Sequence, residues 1–176
     1  SEANNNEQYR AQVNGYLQAN VVRDYTLSFA PSFPTIGTQT SFPVKTGVSG
    51  TCNAFYDYSS INFYNAGGGC SNTAFSVIVH HEYGHHLVAV AGSGQGAYGE
   101  GMGDVMGVLI TGDNQLARGF YSNDCVNGIR NAINNHQYPC SGEIHDCGQL
   151  ISGCVWDTVA EMEAAYPGQG VSIVAE

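Results

Sequence analysis

Apolar positions recur at helical spacing in the first stretch of the chain, where Tyr9, Val13, Tyr16 and Leu17 mark one face of an amphipathic helix expected from Asn4 to about Val22. Pro31, Pro34 and Pro43, with turn formers between them, then break the pattern up to Lys45, and this opening segment reads as scaffold. Residues 52–64 change period. Cys52 to Tyr58 and Ile61 to Tyr64 read as two short strands joined by a turn at Ser59-Ser60, before Gly67-Gly68-Gly69 interrupts the chain. A helix follows through Phe75, Val77, Ile78 and Val79 to about Val90, with Asn72 or Ser71 as its cap and Gly92 as its stop. It is apolar nearly all round, so it should be buried. The run Gly92-Ser93-Gly94-Gln95-Gly96 reverses the chain into a second helix over about Tyr98 to Ile110, and a third spans Gly148 to Ala165, closed off by Pro167. The expected class is α+β in one domain over residues 1–176: a strand-containing N-terminal lobe (about 1–91), a central helix, and a helical C-terminal lobe (about 92–176) flanking a cleft. There are no internal repeats.

Composition narrows the setting. Hydrophobic residues make up 43% of the chain, yet no apolar run approaches the roughly 20 residues that cross a bilayer. The formal charge is −10 with only five Lys plus Arg, which excludes nucleic acid and anionic membrane as partners, because phosphate binding needs clustered cations. Six cysteines, Cys52, Cys70, Cys125, Cys140, Cys147 and Cys154, form no CxxC pair, so disulfides and an oxidising, extracellular setting are expected. Cys52 and Cys70 bracket the two strands and should pair, leaving the other four to form two further bonds of open connectivity. No signal peptide is visible at Ser1, and a secreted mature fragment accounts for that.

The candidate chemistry lies in His81-Glu82-Tyr83-Gly84-His85. Residues four apart share a helix face, so His81 and His85 can present imidazole nitrogens to one metal ion. Glu82, one position round, would stand beside that ion, where it can take a proton from water. His80 and His86 point elsewhere by the same geometry. A catalytic zinc site needs a third protein ligand and an open position. Val88 and Ala91 occupy the positions where a longer histidine motif of the metzincin type would place Gly and His, which excludes that class. The reversal after Gly92 brings Glu100 level with His85 as third ligand, with Asp104 one turn on to accept a hydrogen bond from a ligand histidine. The reversed assignment, Asp104 as ligand and Glu100 as support, is the alternative.

With that motif and the following Glu100/Asp104 pair, the chain resembles the gluzincin metallopeptidases of the thermolysin-like and fungalysin-like kind. The resemblance covers residues 53–158 and implies a zincin-type fold around one catalytic Zn2+. Asn53-Ala54-Phe55-Tyr56 is similar to the family's edge-strand signature, which implies main-chain pairing with an extended substrate at Asn53 and Ala54. Gly142-Glu143-Ile144-His145-Asp146-Cys147-Gly148 and Ser152-Gly153-Cys154-Val155-Trp156-Asp157 resemble the segment that carries a histidine into the site, and by this likeness His145 stabilises the oxyanion. The family's substrate-binding arginine matches Arg130 or Arg118, and its tyrosine has only Tyr98 and Tyr138 as candidates. The interval from His85 to Glu100 is shorter than in typical members, and Gly99 stands where they carry asparagine.

The expected activity is therefore that of a secreted zinc endopeptidase, acting as a monomer on protein or peptide substrates with Glu82 as general base. A zinc exopeptidase of the same chemistry, or a non-catalytic zinc-stabilised binding domain, are the alternatives. A serine hydrolase is excluded by the lack of a GxSxG turn. Nothing in the sequence assigns a Ca2+ site.

Overall fold

The computed structural model describes residues 6–176. Helix α1 (Glu7–Phe29) starts where the Asn6 side chain accepts from the Gln8 N–H at 2.8 Å, with Glu7 favourably placed in the first turn. Its expected start at Asn4 lies outside the described residues. The helix runs on to Phe29 and stops before Pro31, which disfavours helical geometry in the residue ahead of it. Its buried face is not the expected one: Ala11, Gly15, Ala19, Val22 and Thr26 pack inward, whereas Tyr9, Val13, Tyr16 and Leu17 are exposed. Small side chains let α1 lie close to the sheet, so that a Cβ on Gly15 would sit 3.0 Å from Val44 Cγ1.

The sheet has the order β1-β3-β2, from β1 (Val44–Val48), β2 (Ala54–Tyr56) and β3 (Ile61–Tyr64). The β2/β3 hairpin matches expectation, and its turn is tied by Asp57 Oδ1, which accepts from the N–H groups of Ser59 (2.9 Å) and Ser60 (2.7 Å). Strand β1 was not expected. It pairs in parallel with β3, through a register shift between Thr46 and Val48 that Gly47 accommodates at φ +73°. Central β3 is buried at Ile61, Asn62 and Phe63, and β2 is left as an edge.

Helix α2 (Ser76–Val90) is buried from Ile78 through Val88. Its N-cap is Phe75, without a side-chain cap, and Asn72 instead closes a turn upstream by accepting from the Ala74 N–H. After Gly92 (φ +80°), α3 (Ala97–Thr111) returns across α2 and ends at left-handed Gly112. The two helices cross in backbone contact: a Cβ on Gly84 would lie 2.8 Å from Gly103 Cα. A short ribbon follows, β4 (Gln115–Leu116) with β5 (Arg130–Asn131). Helix α4 (Ile144–Ala165) starts four residues earlier than expected, because Glu143 caps it by accepting from the His145 and Asp146 N–H groups. A second glycine contact sets α4 on α3, since a Cβ on Gly148 would lie 2.7 Å from the Gly101 nitrogen. Helix α5 (Gly170–Ala175) closes the described chain.

One apolar cluster joins α1, the sheet and α2 through Val22, Ile36, Ile61, Phe63, Val79 and Leu87, and another joins α3 to α4 through Val105, Val108 and Val159. The architecture is α+β. Among the described residues no helix is long and apolar enough to cross a membrane. Cys52 pairs with Cys70, as expected, and Cys140 with Cys147. The expected third bond is absent: Cys125 and Cys154 are exposed free thiols, one on a loop and the other on α4, about 10 Å of helix rise beyond Cys147.

Candidate metal centre and cleft

A cleft of about 380 Å³ opens between the β2 edge, α2, α3 and the first turn of α4. Asn53, Ala54, His81, Glu82, His85, Glu100, Arg130 and His145 all line it, and Asp104 stands behind, fully buried. The expected residues therefore converge, from elements spread over much of the chain, because the Gly84–Gly103 crossing brings one face of α2 against one face of α3.

His81, His85 and Glu100 are buried and offer ligand atoms within 4.8 Å of one another. Each imidazole is held from behind. His81 Nδ1 donates to Asp104 Oδ1 at 2.8 Å, and His85 Nδ1 donates to Gln95 Oε1 at 2.8 Å, while Gln95 Nε2 donates to the His85 carbonyl at 3.0 Å. Both rings thus turn Nε2 toward Glu100 Oε2, at 3.0 Å for His81 and 3.6 Å for His85. Two imidazole Nε2 atoms and one carboxylate oxygen, with outer partners fixing the tautomers, form a donor set that fits a divalent metal such as zinc. Asp104 lies on the Nδ1 side of His81, outside the group of convergent ligand atoms.

The electrostatics follow from burial and these bonds. Burial alone would lower the His81 pKa, but hydrogen bonds to Asp104 and Glu100 outweigh it and push it up to about 9. Burial works against the Glu100 and Asp104 carboxylates too, and their bonds to His81 win, holding both below the usual range. Glu82 differs: burial raises its pKa, with the histidines opposing only in part. It is the carboxyl of the cleft best suited to hold a proton and release it.

Arg130 lines the cleft, yet its Nε and Nη2 both donate to Asp104, at 2.8 and 2.7 Å. This bidentate pair fixes the carboxylate that fixes His81. Arg118 pairs instead with Asp113 at the surface. Neither candidate tyrosine lines the cleft: Tyr98 faces a separate groove between helices, and Tyr138 is 87% exposed.

His145 projects from the first turn of α4, with Nε2 3.1 Å from Glu100 Oε2. Its Nδ1 donates to Glu143 Oε1 at 2.6 Å. Glu143 and Gln95 were not singled out from sequence. The signal for Gln95 is a lone long polar side chain in a glycine-rich reversal between two ligand helices, and for Glu143 it is an acid two residues before a histidine at a helix start. His80 and His86 do point away, His80 Nε2 to Gln18 Oε1 and His86 Nδ1 to the Tyr56 hydroxyl. Comparison of the chain with models of known protein families and with curated protein sequences finds no match.

Proposed function

We propose that the chain is a secreted zinc endopeptidase of zincin-type fold and gluzincin kind. The observation that carries this reading is the convergence of His81, His85 and Glu100 beside a buried Glu82, in a cleft bordered by an open strand edge. A zinc ion held by that trio would polarise a substrate carbonyl and make a water molecule more acidic. Glu82, buried in the cleft beside the trio, takes the proton from the attacking water and passes it to the leaving amine. His145, held at Nδ1 by Glu143 with Nε2 facing the cleft, donates in its doubly protonated form from Nε2–H to the carbonyl oxygen as negative charge develops there. Asp104 and Gln95 keep the two ligand rings in one tautomer, and Arg130 keeps Asp104 ionised and oriented.

The β2 edge supplies the substrate platform. The Asp57 N–H to Ser60 carbonyl bond (3.1 Å) sets the alternation of the hairpin, so Phe55 turns its main-chain groups to β3. Ala54 and Tyr56 direct theirs to the open edge, where an extended peptide can pair as a further strand. Two disulfides favour an extracellular setting.

The test is a fluorogenic peptide blocked at both ends beside its unblocked counterpart, each assayed before chelation, after it, and after zinc is restored. Cleavage within the peptide, lost and regained with zinc, supports the proposal. Release only from unblocked termini would make the protein an exopeptidase, and zinc binding with no cleavage of either peptide would make it a binding domain.

A further inference from the structure

Every residue from Asn135 to Ile144 is exposed, and this stretch has little packing to hold it in one conformation. It nevertheless ends in a turn of defined geometry. Glu143 uses one carboxylate oxygen to cap α4, accepting from the His145 N–H at 2.9 Å and the Asp146 N–H at 3.3 Å, and the other to accept from the His145 ring at 2.6 Å. Both side chains are exposed, Glu143 by 55% and His145 by 43%. Water competes for such bonds, so on their own they hold a ring in place only weakly.

Cys140 and Cys147 bracket this turn. Their bond closes a loop of sequence separation 7 that contains Glu143, Ile144 and His145, and both Ile144 and His145 line the cleft. Cys147 belongs to the first turn of α4, where its N–H bonds the Glu143 carbonyl at 3.0 Å, and the next residue, Gly148, is pressed against α3 at Gly101 and Glu100. One end of the closed loop is thereby anchored beside Glu100, and the bond ties the other end to it.

We propose that the Cys140–Cys147 disulfide is a positioning element of the site, confining the loop so that Glu143 keeps the His145 imidazole aimed at the cleft over Glu100. The disulfide acts through the turn and touches no substrate. Its contribution is to remove the alternative loop conformations in which the Glu143–His145 bond opens to water. The proposal rests on the peptidase reading for its catalytic consequence and on geometry alone for the orientation of His145.

The experiment compares wild type, Cys140→Ser/Cys147→Ser, His145→Ala and the triple variant for zinc content, thermal unfolding, and kcat and KM on the blocked peptide. The 15N signals of the His145 ring are read on the same proteins without substrate. The serine pair should bind a full complement of zinc and lose about tenfold in kcat with KM little changed, as outer partners of a catalytic group typically do. Adding His145→Ala should bring it to the kcat of His145→Ala alone, because both changes remove one interaction. The His145 signals should shift as its Nδ1–H exchanges Glu143 for water. Wild-type kcat in the serine pair, a loss that multiplies with His145→Ala, or unmoved ring signals would overturn the proposal. If the serine pair does not fold, Glu143→Gln with both cysteines kept is to give the same kcat loss and ring shift, and neither appearing counts against it equally. A wild type that binds zinc but cleaves nothing would end the peptidase reading, and the ring signals would still decide the positioning role.

Discussion

The two sources of imidazole in the cleft are held in opposite ways. His81 and His85 are 5% and 9% exposed, on a helix buried for most of its length, and each Nδ1 meets an acceptor that is itself fixed. His145 stands at the rim, held by an exposed carboxylate from its own helix cap. In the interior a broken hydrogen bond leaves a dry polar group unsatisfied, at a cost of about 1–3 kcal/mol. At the rim water replaces the partner. The candidate metal face is therefore specified by the packing of α2 on α3, and the His145 face by a local turn, so on the proposed function damage to the first should appear as lost metal and damage to the second as lost turnover.

Substitutions that separate those outcomes sharpen the contrast. The largest effect is expected for Glu82→Gln, which would remove the proposed proton carrier and leave the proposed ligands intact: cleavage should fall by roughly a thousandfold or more while zinc stays bound. Metal analysis beside the kinetic assay checks this, and zinc lost with activity would refute the role. His145→Ala should come next, lowering kcat and kcat/KM alike by about a hundredfold with KM and zinc content unaltered, as for a donor that acts mainly in the transition state.

The metal side should respond in the other currency. Asp104→Asn weakens the acceptor behind His81 and the partner of Arg130, so zinc affinity should drop by about 10–100-fold in competition with a chelator. Gln95→Ala removes the acceptor behind His85, which is only partly buried, and the loss should lie near the lower end, about tenfold. A variant of either residue that kept wild-type zinc affinity and lost turnover would collapse the distinction between the two regions.

Much of the candidate metal face was legible because it rests on one simple period and one chain reversal. His81 and His85 share a helix face by spacing, and the glycine-rich reversal places Glu100 and Asp104 opposite them. Gln95 and Glu143 follow no period: each acts from a cap or a loop, where side-chain direction depends on a backbone path that sequence does not display. The same holds for Arg130, whose pairing with Asp104 depends on a two-residue strand. Strand β1 was hidden by Pro43 ahead of it and Gly47 within it, and its parallel pairing with β3 is a long-range contact. The pairing of Cys140 with Cys147 depends on α4 starting at Ile144, a start set by the Glu143 cap rather than by apolar periodicity.

The face of α1 shows most clearly where pattern reading fails, and it carries the smallest expected effect. Large apolar side chains at Tyr9, Val13, Tyr16 and Leu17 suggest a buried stripe, but the helix buries Ala11, Gly15, Ala19 and Val22 instead. The reason is distance. The α1 axis runs so near β1 that a Cβ on Gly15 would already meet Val44, and a tyrosine or leucine on that side would not fit. Closeness rather than bulk selects the inward face, as at the Gly84–Gly103 crossing that builds the candidate metal centre. Leu17, 52% exposed, should therefore tolerate Leu17→Ser with a change within about 0.5 kcal/mol, the range of ordinary surface substitutions. Val22→Ala, at a position with no exposure, should cost about 2 kcal/mol by emptying space in the core shared with α2. Urea unfolding midpoints at constant m-value compare the two, and a Leu17→Ser cost equal to that of Val22→Ala would mean that the outward face is buried in solution after all.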